Sequence, residues 1–168
     1  MSLTFLLGGA RSGKSRLAVE LASRWEGPVT FIATGEPGDE EMAERIRLHR
    51  TERPAAWTSV EEPVELESAL ESVAPEAAVV LDCLSLWVAN LLERGEHAIE
   101  SRSDRAVVLA RRRASPAIVV SNEVGLGVVP VSELGRRYRD VLGRVNAQWA
   151  AAADEAALVV AGRMLWLH

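Results

Sequence analysis

A chain of 168 residues with 48% hydrophobic and 26% charged residues can bury a sizeable core and has the balance of an ordinary globular protein, expected here as one domain over residues 1–168. Its net charge of −5 argues against a nucleic-acid partner, which usually demands a basic surface, and no apolar run reaches the roughly 18 residues of a membrane helix. The single cysteine, Cys83, excludes an intramolecular disulfide; with no leader visible ahead of the first glycines, this fits a cytoplasmic protein.

Short apolar runs alternate with longer amphipathic stretches, the pattern of an α/β protein with a largely parallel sheet. Leu3–Leu7 predicts a first strand, followed by a glycine loop and a helix over Lys14–Trp25. Val29–Ala33 predicts a second strand, and Asp39 a cap for a helix running to Thr51 that Pro54 ends. Val64–Val73 reads as a short helix, Ala77–Leu81 as a buried strand tipped by Asp82, and Leu84–Leu92 as a helix. An exposed turn over Glu93–Glu100 leads to a charged helix, Ser101–Ala114, and Pro116 precedes a strand over Ala117–Val120. Ser121–Pro130 reads as a loop. Ser132 caps a long helix to Ala153, and Ala156–Ala161 with Met164–Leu167 make two closing strands around Gly162 and Arg163.

The strongest chemical signal is Gly8, Gly9, Ala10, Arg11, Ser12, Gly13, Lys14 and Ser15, a complete P-loop pattern between a predicted strand and a predicted helix. Glycines let the backbone curl so that successive N–H groups face phosphates, and the helix N-terminus behind them favours negative charge. In this context Lys14, the only lysine, reaches the β- and γ-phosphates of a nucleoside triphosphate, and the Ser15 hydroxyl ligates Mg2+. Asp82 is either the carboxylate that completes the metal site or the cap of the following helix.

Two further groups draw attention. On a helix, Arg45, His49 and Arg53 are four apart and share one face, so an imidazole lies between two guanidinium groups. That setting favours the neutral, nucleophilic imidazole and holds phosphates nearby; the alternative is a solvated basic face. Asn122 and Glu123 follow a strand whose C-terminal end should face a ligand crevice, which makes them candidates for substrate or metal contact, or a plain polar loop. The remaining features read as structural. Cys83 lies among leucines as a buried thiol, Trp149 and Trp166 suit a core or an interface, and His97 and His168 are exposed bystanders. Arg136, Arg137, Arg139 and Arg144 mark a solvated or interfacial helix face.

Taken together, several segments resemble the bifunctional adenosylcobinamide kinase/adenosylcobinamide-phosphate guanylyltransferase family of cobalamin biosynthesis. They are Gly8–Arg16, Phe31–Thr34, Asp39–Ile46 with His49, Arg53 and Pro54 with Trp57, Leu81–Leu92, Val120–Pro130, Arg137–Asp140, and Gly143–Asn146 leading to Asp154. The resemblance implies a RecA-type P-loop fold, a homotrimer with substrate sites near subunit contacts, and a two-step enzyme. ATP or GTP first phosphorylates adenosylcobinamide, and GTP then transfers GMP to adenosylcobinamide-phosphate through a covalent intermediate on the residue matching His49. It further implies nucleotide contacts from Ala33, Thr34 and Gly35, from Arg50, Thr51, Glu52 and Arg53, and from Glu61. Two other readings stay open: retention of only one activity, or a nucleotide-binding regulatory module.

Overall fold

The computed structural model describes residues 2–38, 40–51 and 53–167, with the backbone alone for Glu41, Met42, Arg45 and His49. The expected Asp39 cap and Glu52 contact, the side chains of Arg45 and His49, and His168 lie outside the described residues.

Seven strands form one sheet: β1 Leu3–Gly8, β2 Val29–Ala33, β3 Thr58–Glu61, β4 Ala78–Asp82, β5 Ala117–Asn122, β6 Glu155–Val160 and β7 Arg163–Leu167. Their order is β3-β2-β4-β5-β1-β6-β7. Every pairing is parallel except the hairpin of β6 with β7. Central strands of a parallel sheet are covered on both faces, so they must be apolar throughout. The runs in β2, buried at all five positions, and in β4 obey this.

Side-chain alternation divides the core into two layers. Phe5, Val79, Leu81 and Val119 point into the larger layer, made with helices α3 Leu66–Ser72, α4 Leu84–Glu93, α5 Ile99–Arg111 and α6 Glu133–Ala152. Leu6, Phe31, Val80 and Val120 point the other way, toward Leu17, Ala18 and Ala22 of α1 Lys14–Ala22. The helix α2, Glu40–Thr51, joins β2 to β3. No helix among the described residues is long and apolar enough to cross a membrane.

Several boundaries depart from the sequence expectations, each for a local reason. β3 was not expected: its four residues are largely exposed and lie on the sheet edge, where burial imposes no apolar run. The first helix stops at Ala22 instead of Trp25, and the Trp25 indole turns back to donate to Glu76 O at 3.3 Å. β5 runs on through Ser121 and Asn122 because both pair with β1, opposite Leu7 and Gly8. The charged helix α5 begins at Ile99, and Arg102 on it is buried, not solvated. Arg102 donates to Val64 O at 2.9 Å and to the Glu67 carboxylate at 2.9 and 3.1 Å. Trp149 is fully buried and donates to Ser103 Oγ, whereas Trp166 on the edge strand is 38% exposed and belongs to no core layer. The Ser132 cap forms as expected, its hydroxyl accepting from Gly135 N at 3.1 Å.

Gly8 is where the fold meets the site. A Cβ there would lie 2.4 Å from the backbone oxygen of Val159 and 2.9 Å from Ser12 Oγ. The carbonyl belongs to β6 and cannot swing aside. Gly8→Ala is therefore expected to destabilise the protein by about 1–3 kcal/mol and to weaken triphosphate binding. Thermal unfolding should show a drop of roughly 2–4 °C per kcal/mol; an unchanged midpoint and affinity would refute the contact argument.

Candidate active site

The phosphate loop is built by three constraints. β1 ends at Gly8, held between Asn122 of β5 and Val159 of β6. Gly13 then adopts φ 98, a left-handed conformation that favours glycine, and its ideal Cβ position is 3.2 Å from Gly162 Cα. The turn between β6 and β7 presses on the loop from outside, where Gly162 N donates to Ser12 O at 2.8 Å. α1 starts at Lys14, and its N-cap, Gly13, has no side chain to cap the helix end. Such an end is suited to phosphate.

Lys14 is 7% exposed, and its Nζ folds back over the loop to donate to Gly9 O at 2.7 Å. Asp82 ends β4, and its backbone oxygen accepts from Thr34 N at 3.2 Å. Thr34 Oγ1 bridges the backbone of Cys83, donating to its carbonyl at 2.7 Å and accepting from its N–H at 3.0 Å. The Asp82–Cys83 peptide is cis. Burial, then the Asp82 charge, push the Cys83 thiol up to about 11, against smaller opposing pulls from the Ser85 hydrogen bond, the Leu86 backbone and, last, Lys14. The P-loop lysine and the β4 carboxylate thus both act on one buried thiol. Cys83 is accordingly expected to resist alkylation at pH 8, reacting about a hundredfold more slowly in the native than in the unfolded protein. Comparable rates would show the thiol to be accessible.

Strand ends line up along the rim of the sheet. Glu61 of β3 is in register with Ala33 of β2, Ala33 with Asp82 of β4, and Asp82 with Val120 of β5. Two residues further along β5, Asn122 is opposite Gly8. Gly8–Ser15, Ala33–Gly35, Asp82 and Glu61 therefore share the carboxyl edge, where ligands of open α/β sheets bind.

At the β3 side, Glu61 Oε1 accepts from Arg50 Nε at 3.2 Å and Arg53 Nη1 at 3.1 Å. The Arg53 guanidinium stacks 4.1 Å from the Phe31 ring centroid, its side chain only 8% exposed. Its buried Nε has no hydrogen-bond partner among the described residues. This corrects the one-face expectation. α2 ends at Thr51, so Arg53 lies past the helix and packs on β2 and β3, while Arg45 and His49 remain four apart on α2. Thr51 is exposed, its hydroxyl donating to Leu48 O.

Asn122 and Glu123 each spend part of their hydrogen-bonding capacity within the fold. Asn122 Nδ2 donates to Ser85 Oγ at 2.9 Å, Asn122 O accepts from Asn146 Nδ2 at 3.0 Å, and the Glu123 carboxylate accepts from Gly125 N. Ser121 Oγ donates to Asn146 Oδ1 at 2.6 Å, and Tyr138 OH to Ser85 O at 3.2 Å. Burial raises the Tyr138 hydroxyl to about 12, so it stays a neutral donor. Sequence reasoning missed this polar layer of Ser85, Ser121, Tyr138 and Asn146 behind the crevice. His97 is exposed with Nδ1 2.8 Å from Arg137 Nη2, and Arg144 pairs with Glu100 at 2.7 Å.

Residues 4–167 match the model of the cobinamide kinase/cobinamide phosphate guanyltransferase family. The chain belongs to this family. The curated bifunctional adenosylcobalamin biosynthesis protein CobP of Pseudomonas aeruginosa is 43% identical over 94% of this chain and 92% of that protein. The proteins named CobU from Escherichia coli K12 and Salmonella typhimurium LT2 are each 39% identical, over 95% of this chain and 96% of theirs. Among solved structures, an ATPase of a bacterial type III secretion system superposes with TM-score 0.55 at 11% identity, covering 94% of this chain and half of the ATPase chain (50%). The flagellar accessory protein FlaH of Methanocaldococcus jannaschii gives 0.51 at 15% identity, over 97% of this chain and 74% of that one. These two likenesses concern the fold alone, and they agree with the P-loop architecture of this family member.

Proposed function

We propose that this chain carries out both reactions in succession: ATP or GTP phosphorylates the side-chain hydroxyl of adenosylcobinamide, and GTP then gives GMP to the adenosylcobinamide-phosphate formed. The observation that supports this reading best is the shared rim, with a phosphate loop on β1 and the Arg50–Arg53–Glu61 cluster beside α2.

In the first step the acceptor oxygen attacks the γ-phosphorus, the β–γ bridging bond breaks, the nucleoside diphosphate leaves and the hydroxyl proton is released. The Lys14 ammonium and the N-terminal amides of α1 neutralise charge on the phosphates as it shifts toward the leaving group. In the second step the neutral imidazole of His49 attacks the α-phosphorus of GTP and pyrophosphate leaves, held by the same loop. An oxygen of adenosylcobinamide-phosphate then attacks that phosphorus, the P–N bond breaks, and adenosylcobinamide-GDP forms with His49 restored. Ala33, Thr34, Gly35, Arg50, Thr51, Glu52, Arg53 and Glu61 hold the nucleotide in line for this attack.

The Ser15 hydroxyl and Asp82 carboxylate are hard oxygen donors of the kind Mg2+ takes alongside phosphate oxygens and water. The metal, when bound, supplies charge neutralisation at the bridging phosphates. We take the enzyme to be a cytoplasmic homotrimer, a reading that fits its single buried thiol and the exposed apolar residues Leu126, Val128 and Val131.

The test is incubation with Mg2+ and GTP labelled on the α-phosphate, with and without adenosylcobinamide. Label on protein that is acid-labile and base-stable is expected, chasing into adenosylcobinamide-GDP. GTP consumption without any corrinoid product would instead favour a regulatory module, and product from only one step would favour a single activity.

A further inference from the structure

Asn90 is an anomaly in the sequence of α4. It sits among Trp87, Val88, Leu91 and Leu92, is 7% exposed, and no apolar contact rewards an amide there. Buried amides persist where their hydrogen bonds are met. Here the Nδ2 group donates to Thr34 O at 2.8 Å and to Pro63 O at 3.1 Å. Both partners are carbonyls, so the nitrogen and not the oxygen must face them. One turn on, Arg94 Nη1 donates to the carbonyl of Asn90 itself at 3.0 Å, and Nη2 makes 2.7 and 2.9 Å bonds to the Glu36 carboxylate.

The two side chains therefore grip the segment after β2 on either side of Gly35. Thr34 is the most constrained residue of that segment: its N–H is bound to Asp82 O, its hydroxyl to the Cys83 backbone, and its carbonyl to Asn90. Gly35 fits closely as well, with an ideal Cβ position 3.4 Å from Ile46 of α2 and 3.5 Å from Leu86 of α4. The Pro63 bond ties the same amide to the segment after β3, which ends in Glu61.

We propose that Asn90, backed by the Arg94–Glu36 pair, is a positioning residue that sets the Thr34–Gly35 backbone for contact with the sugar-base part of the nucleotide. This rests on the reading that the Ala33–Gly35 turn touches nucleotide. Asn90 itself touches no substrate. Its own hydrogen bonds go to the segments after β2 and β3 and, among the described residues, none goes to the phosphate loop on β1.

Two probes separate these regions: GTP, which spans them, and inorganic tripolyphosphate, which needs the phosphate loop alone. Asn90→Leu keeps the branched outline of the side chain and removes both donors. Its GTP affinity should fall about tenfold, the scale of one or two lost net hydrogen bonds, with tripolyphosphate affinity within about twofold of wild type. Equal losses for both probes, or none for either, would overturn the proposal by reducing Asn90 to a packing residue. Should Asn90→Leu fail to fold, Arg94→Gln decides, since that exposed side chain can be changed without opening the core. A loss of about threefold for GTP and none for tripolyphosphate is then expected, and unchanged GTP binding refutes the role. Gly35→Val tests the underlying reading. If it leaves GTP affinity intact, the turn is no nucleotide contact; if it weakens GTP while Asn90→Leu does not, only the positioning role fails.

Discussion

Replacing Lys14 with methionine should lower both the kinase and the guanylyl-transfer rates by about two to three orders of magnitude, the usual consequence of removing one preorganised donor from developing charge. Methionine keeps an unbranched side chain one atom shorter and removes the charge and the donors. The ammonium sits 2.7 Å from Gly9 O and is 7% exposed, so it is already over the loop before a phosphate arrives. GTP affinity should fall with it, by about ten- to a hundredfold for a lost charge-assisted hydrogen bond. Lys14→Arg should not restore the rate, because a planar fork cannot occupy the space of a compact ammonium against the loop backbone. Steady-state rates for each step, with circular dichroism to confirm folding, provide the check. A rate within fivefold of wild type in either reaction would mean that this loop is not the phosphate site for that reaction.

His49→Ala should separate the two reactions. Guanylyl transfer should fall by at least about 10^4-fold, as when a covalent nucleophile is removed, and the base-stable label from GTP should disappear. Phosphorylation of adenosylcobinamide should remain within a few fold, because that step uses positioning and charge stabilisation by the phosphate loop. Parallel loss of both activities would argue for a role of α2 in holding nucleotide generally. Label that survives the substitution would remove His49 from the mechanism.

The readability of this molecule in its sequence followed the range of the interactions involved. The phosphate loop was legible because its constraints are local: Gly8, Gly13, Lys14 and Ser15 are close neighbours, and each residue type answers a backbone or phosphate requirement. The buried strands were legible because two-sided burial demands continuous apolar runs. β3 was not, since Thr58–Glu61 is an edge strand whose exposed residues carry no alternation strong enough to mark it. Arg53 misled because helical periodicity was carried past Thr51, where the chain turns and the guanidinium finds Phe31 and Glu61 instead. Asn122 was located at the correct end of β5, yet its amide is engaged by Ser85, 37 residues away in the chain. No local pattern announces such a partner. A lone asparagine inside an apolar helix, as at position 90, was the one readable hint of the polar contacts behind the rim.

The placement of β1 between β5 and β6 has a consequence for biosynthesis. The Leu3 amide donates to the Asp154 carboxylate at 2.8 Å across a separation of 151 residues, and Gly162 N closes on Ser12 O from later still. At about 5–20 residues per second, a ribosome takes roughly 8–30 s to cover that interval. For most of it the phosphate loop has been synthesised but lacks both neighbouring strands; β5 is made next, and β6 and the turn that seats against Gly13 come only at its end. The nucleotide site as it stands in the folded protein is therefore completed only after the last hairpin has been made, which leaves the phosphate loop among the last parts of the molecule to be seated.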